Sequence, residues 1–215
     1  MDWLYFTGKL PKDPLGRLFS TVGYSKAIIF SSATVAETTI DTIRNIHMAV
    51  ENARGAKIPD WAFRDVLFML IHYSIAAYEL FERRLSDAEK EEIYNVFYRM
   101  GVRMDLQKLP LNYTAWIPER AAHLNTDLQL SVHTTDLYLQ YKKHLGSARF
   151  QVLLASQKMV VPPRVKQLLH FSNSSWLGIM LRLYKLARSM KMDWMLKNLL
   201  LPQAYRAQVR QLDVL

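Results

Sequence analysis

His47 is the residue whose type and position point most directly to chemistry. It falls in a series of small and apolar residues whose spacing alternates between four and three. The series consists of Ile29, Ala33, Ala36, Ile40, Ile43, His47 and Val50. This alternation predicts that all seven lie on the core-facing side of a single helix. An imidazole in a core needs a partner, and a backbone carbonyl, a buried hydroxyl or a metal ion bound at its neutral nitrogen would each serve.

A cation and a hydroxyl are paired upstream of this histidine. Arg17 and Thr21 are four residues apart, so they share one face of a helix. Together they suit an anionic group such as a haem propionate. Haem needs one neutral imidazole on its iron and a broad apolar slot between helices, and it needs no cysteine. Haem binding is therefore one hypothesis for His47, and a hydrogen-bonded core histidine is the other.

The remaining histidines disfavour several other metal sites. None of the 6 histidines has an acidic residue three positions before it, which disfavours the Glu-x-x-His sites of di-iron bundles. The His-Glu-x-x-His zinc motif is also missing. His72 lies inside a long apolar stretch, where it either bridges to a neighbouring helix or lines an internal cavity. Polar neighbours surround His123, His133, His144 and His170, which we expect at the surface or at helix ends.

The elements that must position these residues are helices. We expect a short helical turn to carry Arg17 and Thr21, and the helix with the histidine series to end near Arg54. Residues 66–81 are the longest apolar run, which predicts a helix buried on most sides. Alternating strand patterns and Asn-Gly or Asp-Gly turns are missing. The sequence therefore predicts a single all-α domain over residues 1–215, with roughly eight to ten helices.

Composition excludes several classes of function. Half of the 215 residues are hydrophobic, so a sizeable core is expected rather than disorder. The 7 glycines are scattered and form no phosphate-binding loop. The lack of cysteine removes disulfides, thiolate zinc sites, iron–sulfur clusters and cysteine nucleophiles. With no signal-peptide pattern near Met1, the sequence predicts a cytoplasmic protein, peripheral to a membrane if it binds one.

Positive charge is concentrated in the last quarter of the chain. Residues 158–215 hold ten Lys and Arg against two Asp, which accounts for nearly all of the net charge of +9. Arg182, Lys185, Arg188 and Lys191 recur every three residues, and Leu177, Met180, Leu181 and Leu183 are expected to supply the packing contacts of the same helix. A solubilising basic face is the favoured interpretation, an anionic membrane surface bound peripherally is the alternative, and nucleic acid is disfavoured.

Short motifs follow one another in order through nearly the whole chain. They are Arg17 with Thr21, the run Ile46-His47-Met48-Ala49-Val50, Leu70-Ile71-His72, the acidic capping segment 84–94, Leu109-Pro110 with Tyr113 and Trp116, and Leu201-Pro202 with Tyr205-Arg206. In this order the set resembles the catalytic domain shared by latex-clearing rubber oxygenases and the mycophenolic-acid pathway oxygenase MpaB. The resemblance implies a globin-like all-α fold that binds haem b.

The resemblance also implies roles for individual residues. His47 would be the axial iron ligand, with Arg17, Thr21 and His72 at the haem site, while no catalytic residue is identified. Family members oxidise hydrophobic, often isoprenoid, chains with dioxygen. The leading hypothesis is therefore a haem-dependent oxygenase acting on an apolar substrate. A haem-binding or sensor protein without turnover, and a cofactor-free helical domain that binds a lipid or a partner, are the alternatives.

The chain departs from the family pattern in three places. Glu51 stands where a glycine often follows the axial histidine, and Ser20 stands where latex-clearing proteins have a lysine. The glutamate thought to act as a base in those enzymes lies upstream of the arginine, and no residue here inherits that role. The resemblance therefore implies haem binding more directly than it implies the reaction.

Overall fold

The computed structural model describes residues 5–172, 176–189 and 207. Over these residues the chain is helical and contains no strand, which confirms the predicted all-α class. The helices are α1 (Lys9–Lys12), α2 (Pro14–Ile29), α3 (Ala33–Arg54), α4 (Asp60–Phe81), α5 (Asp87–Arg103), α6 (Tyr113–Thr126), α7 (Val132–Val160), α8 (Pro163–Leu168) and α9 (Leu177–Ser189). Lys191 and the motif from Leu201 to Arg206 lie outside the described residues.

The helices divide between two compact units. The first unit comprises Met1–Ala36, Ser131–Met159 and Ser172–Leu215, and the second comprises Glu37–Leu130 and Val160–Phe171. The single domain expected over residues 1–215 stays a prediction. In the first unit, Leu15 and Phe150 are buried, and the Tyr138 ring meets Phe150 edge-on with a centroid distance of 6.2 Å.

The core of the second unit is built from α4, α5 and α6. Phe68, Ile71 and Ile75 lie on the buried side of α4, and Ile71 is 0% exposed. Tyr94 of α5 and Trp116 of α6 complete the cluster, with Trp116 edge-on to Phe68 at a centroid distance of 6.0 Å. Each such side chain stabilises the fold by about 1.5–3 kcal/mol when fully buried. This core fixes α4 and α6, which carry His72 and the polar residues Asp65, Arg120 and His123 described below.

The long helix predicted through the histidine series is divided in the structure. Helix α2 ends at Ile29, and a new helix begins at Ala33. The carbonyl of Ser32 accepts the first helical hydrogen bond of α3, from the Ala36 amide at 2.9 Å. Serine favours helix starts because its hydroxyl competes with helical backbone bonds. The predicted stripe is therefore wrong at its upstream end, since Ile29 belongs to another helix and is exposed.

Helix α4 also differs from the prediction made from its apolar run. It begins at Asp60 and is not buried on most sides, because Val66, Met69 and Phe81 are all exposed. The run is apolar on both sides of the helix, so hydrophobicity alone does not show which side faces the core. Burial is confined to the side that meets α5 and α6.

A capping box predicted from sequence fixes the start of α5. The Ser86 hydroxyl accepts a hydrogen bond from the Glu89 amide at 3.3 Å, and the Glu89 carboxylate accepts one from the Ser86 amide at 2.8 Å. Arg83 donates to the same carboxylate at 2.6 Å. This guanidinium and the Ser86 amide together lower the pKa of Glu89 to about 2.

Candidate functional site

His47 lies on the inward side of helix α3. Ile40 is buried and Ile43 and Val50 are half-buried, which confirms the downstream part of the predicted stripe, whereas Ile46 and Met48 are exposed. The imidazole is itself half-buried, and its Nδ1 atom is buried.

The ring of His47 also has a defined packing partner within the second unit. The Phe63 ring of α4 meets it edge-on, with a centroid distance of 5.1 Å and an interplanar angle of 66°. Phe63 packs in turn against the core cluster of this unit. A single histidine nitrogen can hold haem iron, so this ring is a candidate ligand.

Glu51, one of the departures from the family pattern, fixes the chain after α3. Its Oε1 accepts a hydrogen bond from the Ile58 amide at 2.8 Å, and its carbonyl accepts one from the Ala56 amide at 3.3 Å. Gly55 between them has φ +68°, a left-handed conformation that favours glycine. The glutamate therefore has a structural role one helical turn beyond His47.

Arg17 and Thr21 form the predicted pair on one face of α2, in the first unit. The Arg17 Nη1 donates to the Thr21 hydroxyl at 3.2 Å, and this hydroxyl donates to the Arg17 carbonyl at 3.0 Å. Both side chains are exposed, and α2 has 16 residues rather than the short turn expected. The guanidinium has five donors, so those not used on Thr21 suit an anionic group.

His72 is a half-buried histidine that contacts Val160, a residue of the same unit at the end of α7. Its Nε2 lies 3.3 Å from the carbonyl oxygen of Val160. Burial lowers the pKa of His72 from its ordinary value of 6.5, and the positive charge of Arg120 acts in the same direction. The ring is therefore neutral near pH 7, and a proton on Nε2 satisfies the contact with the carbonyl. This matches the predicted bridge to a neighbouring helix, while a place for His72 at a haem site stays a prediction.

A charged network that the sequence did not indicate joins α4 to α6. Asp65 Oδ1 lies 2.8 Å from Nε2 of His123 and 3.4 Å from Nη1 of Arg120. The other ring nitrogen of His123 lies 2.7 Å from Asp127 Oδ2. His123 does lie in the last turn of α6, as expected of a residue at a helix end, but the expectation of a surface side chain is wrong, because it is only 10% exposed.

Arg120 is the buried member of this network, at 6% exposure. Desolvation lowers its pKa, while the Asp65 carboxylate raises it. The i, i+3 and i, i+4 spacings of Arg120, His123 and Asp127 were readable from sequence. Asp65, which anchors them, lies more than fifty positions away and becomes visible only in the folded chain.

The structure thus places the predicted site residues in two groups. Arg17 and Thr21 belong to the first unit, whereas His47 and His72 belong to the second. Among the described residues, no group of three or more His, Asp or Glu is arranged to hold a metal ion. Haem iron requires only one protein ligand, so this observation concerns multi-ligand metal sites. In the same part of the chain, no helix combines the length and apolar character needed to cross a bilayer.

Comparison with protein families identifies a match over nearly the whole chain. The family model for the catalytic domain of the ER-bound oxygenase mpaB/B′ and rubber oxygenase matches residues 5–209. No curated protein and no solved structure gives a significant match.

Proposed function

The chain belongs to the mpaB and rubber oxygenase catalytic-domain family, and from this we propose that it is a haem b-dependent oxygenase acting with dioxygen on a hydrophobic substrate. His47 is the proposed axial ligand of the iron. Arg17 and Thr21 are the proposed propionate-binding pair. The substrate class follows from the resemblance, in which isoprenoid or other lipid chains are oxidised.

The setting of His47 carries this proposal. It is an imidazole on the apolar side of α3, packed edge-on against Phe63. One imidazole in apolar surroundings is the donor set that haem b needs, so the residues present fit the group. When bound, haem supplies the redox-active iron that oxidation by dioxygen requires. The protein's part is to hold the iron through His47, and Phe63 restricts the rotation of that ring.

Electrostatics supports the second part of the assignment. A haem propionate is an anion, and Arg17 offers charge-assisted hydrogen bonds from an exposed helix face where Thr21 restrains its side chain. A contact of this kind is worth roughly 1.5–3 kcal/mol. Loss of the arginine would therefore weaken haem binding by about one to two powers of ten.

The visible spectrum of the purified protein tests the ligand assignment. Protein from haem-supplied cells should show a Soret band, and His47→Ala should remove or greatly reduce it, because the iron loses its only proposed protein ligand. His72→Ala is the matched control, because this histidine is engaged by Val160 and should affect haem content less. Full haem content with an unchanged spectrum in His47→Ala would show the assignment to be wrong.

Haem transfer to apomyoglobin tests the propionate pair. Arg17→Ala should raise the rate of haem loss about ten- to a hundredfold. Lys26→Ala, which removes a cation from the last turn of the same helix, is the control and should leave the rate unchanged. Equal rates in Arg17→Ala and the unaltered protein would exclude Arg17 from the haem site.

Haem binding without turnover is the second candidate. It is favoured by Ser20, which stands where latex-clearing proteins have a lysine and which is exposed on α2. Oxygen uptake by the haem-loaded protein with isoprenoid oligomers separates the two candidates. Uptake with cleavage products supports the oxygenase, and a bound haem with no uptake across a series of apolar alkenes supports the binding protein.

A further inference from the structure

Helix α9, in the first unit, presents an apolar stripe to solvent. Trp176, which directly precedes the helix, is 55% exposed, and Ile179, Leu183 and Leu186 are 68%, 51% and 59% exposed. At about 100° per residue, the four positions fall within an arc of about 80° around the helix. Large apolar side chains grouped on one side of a surface helix form a patch that favours removal from water.

The same helix is purely cationic. Among its 13 residues are Arg182, Lys185 and Arg188, and none is acidic. Arg182 is exposed and lies about 40° around the helix from Leu186, next to the stripe. Lys185 and Arg188 lie farther round the helix, about 100° and 160° from Leu186, so only Arg182 borders the stripe.

The helix is attached to its unit through other residues. Leu177 and Leu181 are half-buried, as expected of packing residues. Leu183 was expected to pack with them, but it is exposed instead and belongs to the stripe. It stands six positions after Leu177, which places it about 120° away around the helix. The helix can thus remain attached while its stripe contacts a second surface.

We propose that α9 binds peripherally to an anionic phospholipid surface. The helix is about 20 Å long and lies in the plane of the membrane, with the stripe at the acyl boundary and Arg182 near the lipid phosphates. A cation close to an anionic surface contributes about a fivefold gain in partitioning, and Arg182 is the cation that borders the stripe. This proposal concerns the protein chain alone and does not depend on haem.

Charge complementarity selects lipid over a second copy of the chain. Pairing two α9 stripes would bring together the Arg182 side chains that border them, with no acidic residue on either helix. Like charges held close across an interface oppose association. An anionic lipid surface supplies both the apolar contact and the opposite charge.

Vesicle co-sedimentation of the full chain tests the proposal. The probes are vesicles of phosphatidylcholine alone and of an equal mixture of phosphatidylcholine and phosphatidylserine. We expect at least about fivefold tighter partitioning to the anionic vesicles, weakening as salt rises from about 50 to about 500 mM. Failure of the unaltered protein to bind the anionic vesicles would overturn the proposal.

Two variants separate the apolar and ionic contributions. Ile179→Ser with Leu183→Ser should weaken binding at least tenfold, and replacement of Arg182, Lys185 and Arg188 by Gln should remove the preference for anionic lipid. The matched control is Val132→Ser with Leu139→Ser, which changes exposed apolar residues on α7 of the same unit and should alter binding less than twofold. Circular dichroism verifies that each variant is folded.

The remaining outcomes overturn the proposal. Unchanged vesicle binding by the Ile179 and Leu183 variant would mean that the stripe does not contact lipid. A lipid-free dimer in sedimentation velocity that this variant dissociates would instead assign the stripe to self-association. The visible spectrum of the same variants reports on haem independently, so loss of vesicle binding with full haem content separates this proposal from the proposed function.

Discussion

Asp65 is the residue whose removal most sharply tests the network between α4 and α6. Asp65→Asn keeps the size of the side chain and removes the negative charge that faces Arg120 and His123. Arg120 is 6% exposed, and its Nε has no hydrogen-bond partner among the described residues. The substitution therefore leaves a buried guanidinium without its counter-charge.

The cost follows from burial and distance. Removing one partner of a fully buried ion pair costs about 3–5 kcal/mol. The Asp65 side chain is 32% exposed and its contact with Arg120 is 3.4 Å long, so solvent screens part of this interaction. We expect a loss of about 2–3 kcal/mol in the free energy of unfolding. For a chain of this length, that lowers the Tm by about 4–12 °C.

Urea unfolding followed by far-ultraviolet circular dichroism measures this loss. Asp105→Asn is the matched control, because that carboxylate is 73% exposed and 4.0 Å from Arg44. An exposed pair of this kind contributes about 0–1 kcal/mol. Adding Arg120→Met to Asp65→Asn should restore part of the stability, because the unpaired charge is then gone. Equal losses in Asp65→Asn and the control would refute the reasoning, as would strictly additive losses in the double variant.

Two further predictions concern the same unit. Gly101→Ala should destabilise the fold by about 1 kcal/mol, because a Cβ at this buried position would lie 2.7 Å from a methyl carbon of Leu109 and 2.7 Å from one of Leu67. This overpacking outweighs the gain in helix propensity of about 0.5–1 kcal/mol. A Cβ at Gly23 would meet nothing within 4 Å, so Gly23→Ala should stabilise the fold instead, and urea unfolding compares the two variants. The neutral His72 ring contributes stability that is present above its ordinary pKa of 6.5 and is lost as pH falls through the lower pKa of the folded state. The NMR titration of His72 should therefore have a midpoint below 6.5. A midpoint at or above this value would contradict the prediction.

Local contacts explain which features could be predicted from sequence. The capping box at Ser86 and Glu89 and the pair of Arg17 and Thr21 are three or four residues apart, and the structure confirms both. Such pairs depend only on helical geometry, which the sequence spacing specifies. The part of the histidine series from Ile40 onward is confirmed for the same reason.

Two kinds of feature were not predictable in this way: those decided by competition between a continuous helix and a new helix start, and those that depend on residues distant in sequence. The apolar periodicity continues across Ser31 and Ser32, but α2 ends before these serines and α3 begins after them. Ile29 was therefore placed on the wrong helix. The burial of His123 depends on Asp65, fifty-eight residues away, and no spacing rule connects them. The exposed stripe on α9 depends on which side of that helix its unit covers, and this is a property of the folded chain.

The two proposals have a shared physical consequence. A hydrophobic alkene has a low concentration in water and a high one in a bilayer, so an oxygenase held at the lipid surface meets far more substrate than one in bulk solution. A cationic helix with an exposed apolar stripe supplies reversible attachment without a membrane-spanning segment, because its ionic part weakens with salt. Oxidation of a lipid-dissolved alkene by the haem-loaded protein should therefore fall in the Ile179 and Leu183 variant, while its haem spectrum stays unchanged. Equal rates for this variant and the unaltered protein would mean that substrate reaches the site from water.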